Sequence, residues 1–277
     1  MGSKPHCIFV NGIWKSGNHL VYSALNELGI EGPFNGIAAH LLYGRRKRIK
    51  QLVRGATNGV DVGLETEARV RQRYVRNTLR RLRGKIVGGH AAYSPEFLAM
   101  MRAEGARMII IRRDPRDMLV SFADWIGGRP DYFMHGDFAP LTREERVRRL
   151  LKGGSGTGYW LRPFAEVLTR AEGWLAERDD VLTVAFEDLI GPQGGGSRPR
   201  QLATLEAICY HLERALPDDP NLVERVYGGS LTFNKGRIER WRELDSADLQ
   251  DEIAERIGPH LGRWGYGAAA SHRGTHA

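Results

Sequence analysis

Four stretches of this chain gather residue types that handle anions and protons. The first is Gly12-Ile13-Trp14-Lys15-Ser16-Gly17, which follows the apolar run Cys7 to Asn11. It precedes Asn18 to Leu28, where Leu20, Val21, Ala24, Leu25 and Leu28 share one helical face and Gly29 is a stop signal. A strand that turns through glycines into a helix aims backbone N–H groups at one point, which is a ready anion site. Lys15 adds a positive charge there, and Ser16 and Asn18 add side-chain donors. The order is not that of a Walker A loop, which needs Gly-x-x-x-x-Gly-Lys-Ser/Thr.

The second stretch is Arg112-Arg113-Asp114-Pro115-Arg116-Asp117, with Ser121 a little over two helical turns beyond Arg113. An arginine at a strand end offers a planar fork to a phosphate. Asp114 is placed to cap the helix that Pro115 starts. The third is His90, after Gly88-Gly89 at the end of another short apolar run. Its reference pKa of ~6.5 suits an imidazole to take a proton from a hydroxyl. The fourth is Thr232-Phe233-Asn234-Lys235-Gly236-Arg237, followed by Trp241, which suits a phosphorylated nucleoside. Each stretch also has a plain structural explanation, as a turn, a capped helix, a surface histidine or a basic loop.

These stretches need a frame that brings them together. Short apolar runs at Cys7–Asn11, Lys85–Gly88, Arg107–Ile111 and Val181–Phe186 alternate with helical patterns. Helices are expected at Asn18–Leu28, Pro95–Arg102, Pro115 to about Ile126, Tyr159–Arg178, Gln201–Ala215, Pro217–Tyr227 and Ala247–Leu261. Such alternation predicts an α/β fold: a single domain, 1–267, with a central parallel sheet flanked by helices in three layers, and a disordered tail at 268–277. Ligands of these sheets bind at the carboxyl ends of the strands, where the first three stretches begin. The glycine-bearing segments 127–142 and 191–199 read as mobile loops, and 153–158 as a glycine cluster before a long helix.

Composition limits the alternatives. The chain has 277 residues, 42% apolar and 27% charged, with a net charge of +8. That is a globular composition whose basic balance calls for an anionic partner. Its two cysteines, Cys7 and Cys209, are too few for a disulfide framework and too far apart for a metal-ligand spacing. No metal site is expected, no apolar run approaches the ~20 residues of a membrane span, and a reducing, cytoplasmic setting is the expectation.

Taken together and in order, the four stretches resemble the PAPS-dependent sulfotransferases of the cytosolic type, PAPS being 3′-phosphoadenosine-5′-phosphosulfate. That family's phosphosulfate loop reads roughly Pro-Lys-Ser-Gly-Thr-Thr-Trp, and Trp14-Lys15-Ser16-Gly17-Asn18-His19-Leu20 stands in its place. Its 3′-phosphate pair, an arginine and a serine eight residues on, is matched by Arg113 and Ser121. Its Lys-x-x-x-x-His base is matched by Lys85 to His90, its Tyr-Glu-Asp by Phe186-Glu187-Asp188, its Arg-Lys-Gly by Asn234-Lys235-Gly236 and its closing Leu-Gly-Tyr by Trp264-Gly265-Tyr266. Asn18 and His19 replace two threonines, and Leu20 and Phe186 replace aromatic residues that contact adenine; Trp14 and Phe233 are candidates to supply that stacking.

The resemblance implies sulfuryl transfer from PAPS to an acceptor hydroxyl, leaving 3′,5′-adenosine bisphosphate. His90 would be the base and Lys15 would stabilise the leaving bisphosphate. Lys15, Ser16, Gly17, Asn18, His19, Leu20, Arg113, Ser121, Phe186, Phe233, Asn234, Lys235 and Gly236 would bind the cofactor. The acceptor would be a small molecule, a glycan or a lipid-linked hydroxyl, and no nucleic acid is expected as a partner. Arg69, Arg73, Arg76, Arg80 and Arg83 are spaced to share one helical face, which is either a solvated face or a contact for an anionic surface. Two rival readings remain at this level. One is a P-loop-type small-molecule kinase using ATP and Mg, for which Asp114 and Asp188 are the only acids at strand ends. The other is a basic nucleic-acid-binding protein.

Overall fold

A computed structural model describes residues 7–30, 32, 35–36, 59–64, 69–227 and 236–267. Phe233, Asn234, Lys235 and the tail 268–277 lie outside the described residues.

The expected parallel sheet is present. Its strands are β1 (Ile8–Asn11), β2 (Asn35–Gly36), β5 (Ile86–Gly89), β6 (Arg107–Arg112) and β9 (Val181–Ala185), in the order β2-β5-β1-β6-β9. Every pairing in it is parallel. Asn11 stands opposite Gly89 on one side and Ile110 on the other, so the ends of β1 and β5 are level while β6 runs on to Arg112. The residues after β1, β5 and β6 therefore emerge at one rim.

Alternation along the strands builds the layers, because successive side chains point to opposite faces. Phe9, Val87, Met108 and Ile110 pack with α2 (Gln72–Arg81), α3 (Pro95–Ala103) and Trp174. Val10, Ile86, Ile109, Ile111 and Val184 pack on the other face with α1 (Asn18–Glu27) and, later in the chain, α8 (Phe186–Leu189), α9 (Arg198–His211) and α10 (Leu222–Val226). A third apolar cluster joins α4 (Pro115–Gly127), α5 (His135–Phe138), α6 (Arg143–Lys152), α7 (Phe164–Ala176) and α11 (Ala247–Arg263). Ile13 and Trp14 belong to this third cluster, so the turn after β1 is rooted in helices rather than laid over the surface.

Four expectations need correction. The helix drawn from Tyr159 begins at Phe164; before it, β7 (Gly154–Gly156) and β8 (Tyr159–Leu161) form an antiparallel hairpin. Pro163 supplies the reason, since proline at that point fits a helix entry and not a helix interior. The segment 127–142 holds α5, with Met134 and Phe138 buried, and is not an open loop. The loop at 191–199 contains a 3₁₀ turn, Pro192–Gly194, and the start of α9 at Arg198. The arginine stripe is shorter than its spacing suggests. Arg69 lies in β4 (Arg69–Arg71), paired with β3 (Gly59–Asp61), and the helix starts only at Gln72. Its apolar stripe is as expected, with Val75, Leu79 and Leu82 buried.

Candidate active site

The turn from β1 into α1 is shaped by two glycines. A Cβ on Gly12 would lie 2.4 Å from Ser16 Oγ and 2.7 Å from the Ile111 carbonyl. Gly17 has φ +114°, and a Cβ there would lie 2.6 Å from the Phe186 ring. Lys15, with φ +65°, is one of few non-glycine residues in the left-handed region, a placement that costs on the order of 1–2 kcal/mol. Tertiary contacts hold it: Ser16 N–H donates to Ile13 O at 3.0 Å, and Arg113 Nη1 donates to Lys15 O at 3.1 Å. The first amides of α1 have no carbonyl of their own helix to bond, and they open beside Lys15.

Charge in this turn is out of balance. Burial pulls the Lys15 ammonium down from its ordinary range to about 8, and the like charges of Arg113, Arg240 and Arg129 pull the same way. Its Nζ stands 5.4 Å from the Trp125 ring centre. Ser16 Oγ is buried with no hydrogen-bond partner among the described residues. Crowded cations, an orphan hydroxyl and free helix amides are together a donor set built for an anion, so the chain's own residues fit a phosphosulfate or phosphate group.

His90 follows β5 at the same rim. Its Nδ1 lies 2.6 Å from Gly12 O. A carbonyl only accepts, so Nδ1 carries the proton and Nε2 keeps a lone pair. The residue is exposed at one side, while the protein packed about the ring desolvates it. That desolvation lowers its pKa, with smaller contributions from His19 and Lys15; the Gly12 hydrogen bond opposes them. A neutral imidazole with a free Nε2 is the form a general base requires.

Arg113 is the second anchor. It is 5% exposed, donates from Nη2 to Arg237 O at 2.8 Å as well as to Lys15 O, and lies 4.1 Å from the centre of the Phe186 ring. Its charge faces Asp117 Oδ2 at 3.6 Å, and Asp117 Oδ1 accepts Trp241 N–H at 2.9 Å. Burial outweighs the pull of Arg113 and pushes the Asp117 carboxyl up to about 6. Asp117, Ser121 and Asp124 recur at one face of α4, under the chain that passes from Gly236 to Glu243. Arg240, 2% exposed, ion-pairs with Asp124 there. The Phe186-Glu187 strand end is tied in by Glu187, which accepts Asp114 N–H at 3.0 Å and the Tyr266 hydroxyl.

Lys15, Ser16, Gly17, His90 and Arg113 are thus gathered around one rim, with Gly236 directly before the Arg237 carbonyl that Arg113 binds. Other predicted residues fall differently. Trp14 is stacked on Phe122 at 4.0 Å and tilted against Phe164 at 5.2 Å inside the helical cluster, so it is not free to stack on a base. Leu20 and Phe186 are buried in the cluster beneath α1, the latter beneath Gly17 and against Arg113. Asn18 turns its amide away from the anion turn, donating from Nδ2 to Gly89 O at 2.9 Å. His19 is exposed, its ring edge-on to Tyr22. Ser121 is buried on α4.

Sequence reading missed Asn11, Asp117, Trp125 and Arg240. Only Asn11 carried a local signal, a polar residue closing an otherwise apolar strand. Beyond Trp125, Tyr132, Phe133 and Tyr159 continue an aromatic wall with ring-centre separations of 4.6, 4.7 and 5.3 Å in turn. Thr157 fastens the β7–β8 hairpin to Asp137 through N–H and Oγ1 bonds of 2.8 and 2.7 Å. The acids on which the kinase reading leaned are engaged elsewhere. Asp114 caps α4 and pairs with Arg116, and Asp188 pairs with Arg200. Among the described residues no cluster of His, Cys, Asp and Glu has the arrangement of a metal site.

No protein-family model and no curated protein matches the chain. Solved structures do. Mouse sulfotransferase SULT7A1 complexed with PAP aligns with a TM-score of 0.61 at 13% identity, over 95% of this chain and 86% of that one. Retinol dehydratase in a complex with retinol and PAP aligns with a TM-score of 0.54 at 15% identity, over 94% and 82%. The chain has the fold of these proteins.

Asp117 should matter for stability as well as for the site. Asp117→Ala leaves the Arg113 guanidinium buried without its counter-charge, and chemical denaturation should register a loss of about 3–5 kcal/mol. A loss below ~1 kcal/mol, the scale of an ordinary hydrogen bond, would mean that Arg113 is satisfied without it.

Proposed function

We propose that this chain is a PAPS-dependent sulfotransferase that moves the sulfuryl group to the hydroxyl of an acceptor. The observation that carries the reading is the meeting of Lys15, the Ser16–His19 turn and Arg113 with the Nε2 lone pair of His90. The fold shared with two PAP-bound proteins supports it, since PAP is the bisphosphate left when PAPS gives up its sulfuryl group. The two cysteines, both free and buried, suit the cytoplasmic setting that belongs to this reading.

In the proposed reaction the acceptor oxygen attacks sulfur and the bond from sulfur to the bridging oxygen of the bisphosphate breaks. His90 Nε2 takes the hydroxyl proton. Lys15 Nζ meets the charge that grows on the bridging oxygen, and amides at the start of α1 hold the 5′-phosphate. Arg113 and Ser121, with Asn234, Lys235 and Gly236, hold the 3′-phosphate; that contact is what would separate PAPS from a nucleotide lacking it. Leu20 and Phe186 would back the adenine side from the cluster beneath α1, and Phe233, outside the described residues, would stack on the base. Residues 127–158, with Trp125 and the aromatic wall next to Lys15, form the acceptor side.

The reading extends to the acceptor's surroundings. Arg69, Arg71, Arg73, Arg76, Arg80, Arg81 and Arg83 are exposed along β4 and α2. Two of them, Arg80 and Arg83, share the single carboxylate of Glu104. Such a face suits a lipid-linked or glycan acceptor presented on an anionic surface, at roughly 1 kcal/mol per basic residue near the membrane. Sedimentation with phosphatidylserine vesicles at low ionic strength should carry the protein down, and added salt should release it. No association at low salt removes this part of the proposal.

His90→Ala should still bind 3′,5′-adenosine bisphosphate in calorimetry while losing about 10²–10⁴-fold in transfer rate. Near-normal turnover would take His90 out of the mechanism. Failure of the wild-type protein to bind the bisphosphate would remove the whole reading.

The two ionisations set the pH dependence. His90 must be neutral, so kcat/KM should rise as pH increases through a value below 6.5. Lys15 must be charged, so kcat/KM should fall as pH increases through about 8. Lys15→Arg should move the alkaline limb upward, and a profile without that limb in the wild type contradicts the role given to Lys15.

A further inference from the structure

The residues on both sides of His90 are gripped by side chains from other elements. Asn11, 1% exposed and the last residue of β1, donates from Nδ2 to Ala91 O at 3.0 Å and accepts Ala91 N–H on Oδ1 at 2.8 Å. This reciprocal pair adds a side-chain rung to the sheet just past the point where the strands end. Trp174 Nε1 donates to the same Ala91 carbonyl at 3.0 Å. On the other side Asn18, the first residue of α1, donates from Nδ2 to Gly89 O at 2.9 Å. The His90 ring itself bonds to Gly12 O, the residue that follows Asn11 and opens the anion turn.

We infer that Asn11 and Asn18 are positioning residues that lock His90 to the anion turn, fixing both the place of its ring and which ring nitrogen carries the proton. The Nδ1 proton stays on Nδ1 only while Gly12 O lies in the ring plane within bonding range, and Gly12 and His90 follow different strands. Backbone pairing of β1 with β5 stops at Asn11 and Gly89, one residue short of both. The Asn11 amide bridges that gap, and Asn18 ties the helix whose first amides face the anion to the peptide directly before the base. Asn18 Oδ1 has no partner among the described residues, so its amide is turned by the Gly89 bond alone. A donor at Asn18 thus serves the base rather than the phosphate.

The inference rests on His90 being the base, and its test separates the two. In the full-length protein labelled with ¹⁵N-histidine, the wild type should show His90 with a protonated Nδ1 and a lone pair on Nε2. Asn11→Ala and Asn18→Ala should each shift His90 toward a mixture of tautomers. They should also lower kcat by up to about 10²-fold, the cost of a misplacement near 1 Å, with KM for the acceptor little changed and the acid limb of the pH profile moved. Asn11→Asp keeps the acceptor for Ala91 N–H and loses the donor; it serves if Asn11→Ala does not fold, and the same tautomer shift is expected. Unchanged tautomer and unchanged kcat in folded variants at either position overturn the inference for that residue. If His90→Ala proves active, the base reading fails while the tautomer measurement still decides the lock.

Discussion

A single buried guanidinium holds the candidate site together. Arg113 binds the carbonyl of Lys15 in the first turn and the carbonyl of Arg237 in the late loop, lies on the Phe186 ring, and faces Asp117. Taking such a charge out of water costs several kcal/mol unless it is paired and hydrogen-bonded; both Nη groups find carbonyls, while Nε has no partner among the described residues. The planar fork supplies donors in fixed directions, so segments far apart in sequence take their places around it. Lys15 then keeps its left-handed backbone, the turn keeps its shape, and the chain after Gly236 stays over α4.

The electrostatics follow from this packing. Lys15 is buried and set among Arg113, Arg240 and Arg129, and burial first, then the like charges, loosens its proton. Carboxylates at Asp117, Asp124 and Glu187 are turned toward the arginines, the late loop and Tyr266. The turn is left positive and desolvated, with Ser16 Oγ unpartnered among the described residues. An anion entering there meets a field already in place, which is the condition for stabilising charge on a leaving group. Desolvation, with smaller contributions from His19 and Lys15, favours the neutral form of His90 beside this turn.

The alternation of short apolar runs with helical patterns led directly to the parallel sheet, and strand ends were located within a residue or two. Local chemistry was legible where it was local: Asp114 and Pro115 starting α4, and Gly17 opening α1. The β7–β8 hairpin was overlooked because glycines and an apolar run before a true helix mimic its extension. Arg69 was drawn onto the helix for a similar reason, since arginines spaced three and four apart give the same count in a strand that leads into a helix.

By itself the sequence determined the fold class and the order of the anion-handling stretches, and it singled out Lys15, His90 and Arg113 as candidates, because each of these is encoded within a window of a dozen residues. Tertiary structure alone decided that Trp14 is a core residue, that Asn18 serves Gly89, that Asn11 grips Ala91, and that Arg240 joins the cations around Lys15. The two asparagine contacts reach across 71 and 80 residues. Such contacts are set by how three apolar clusters close against one another, and no periodicity in the chain reports that.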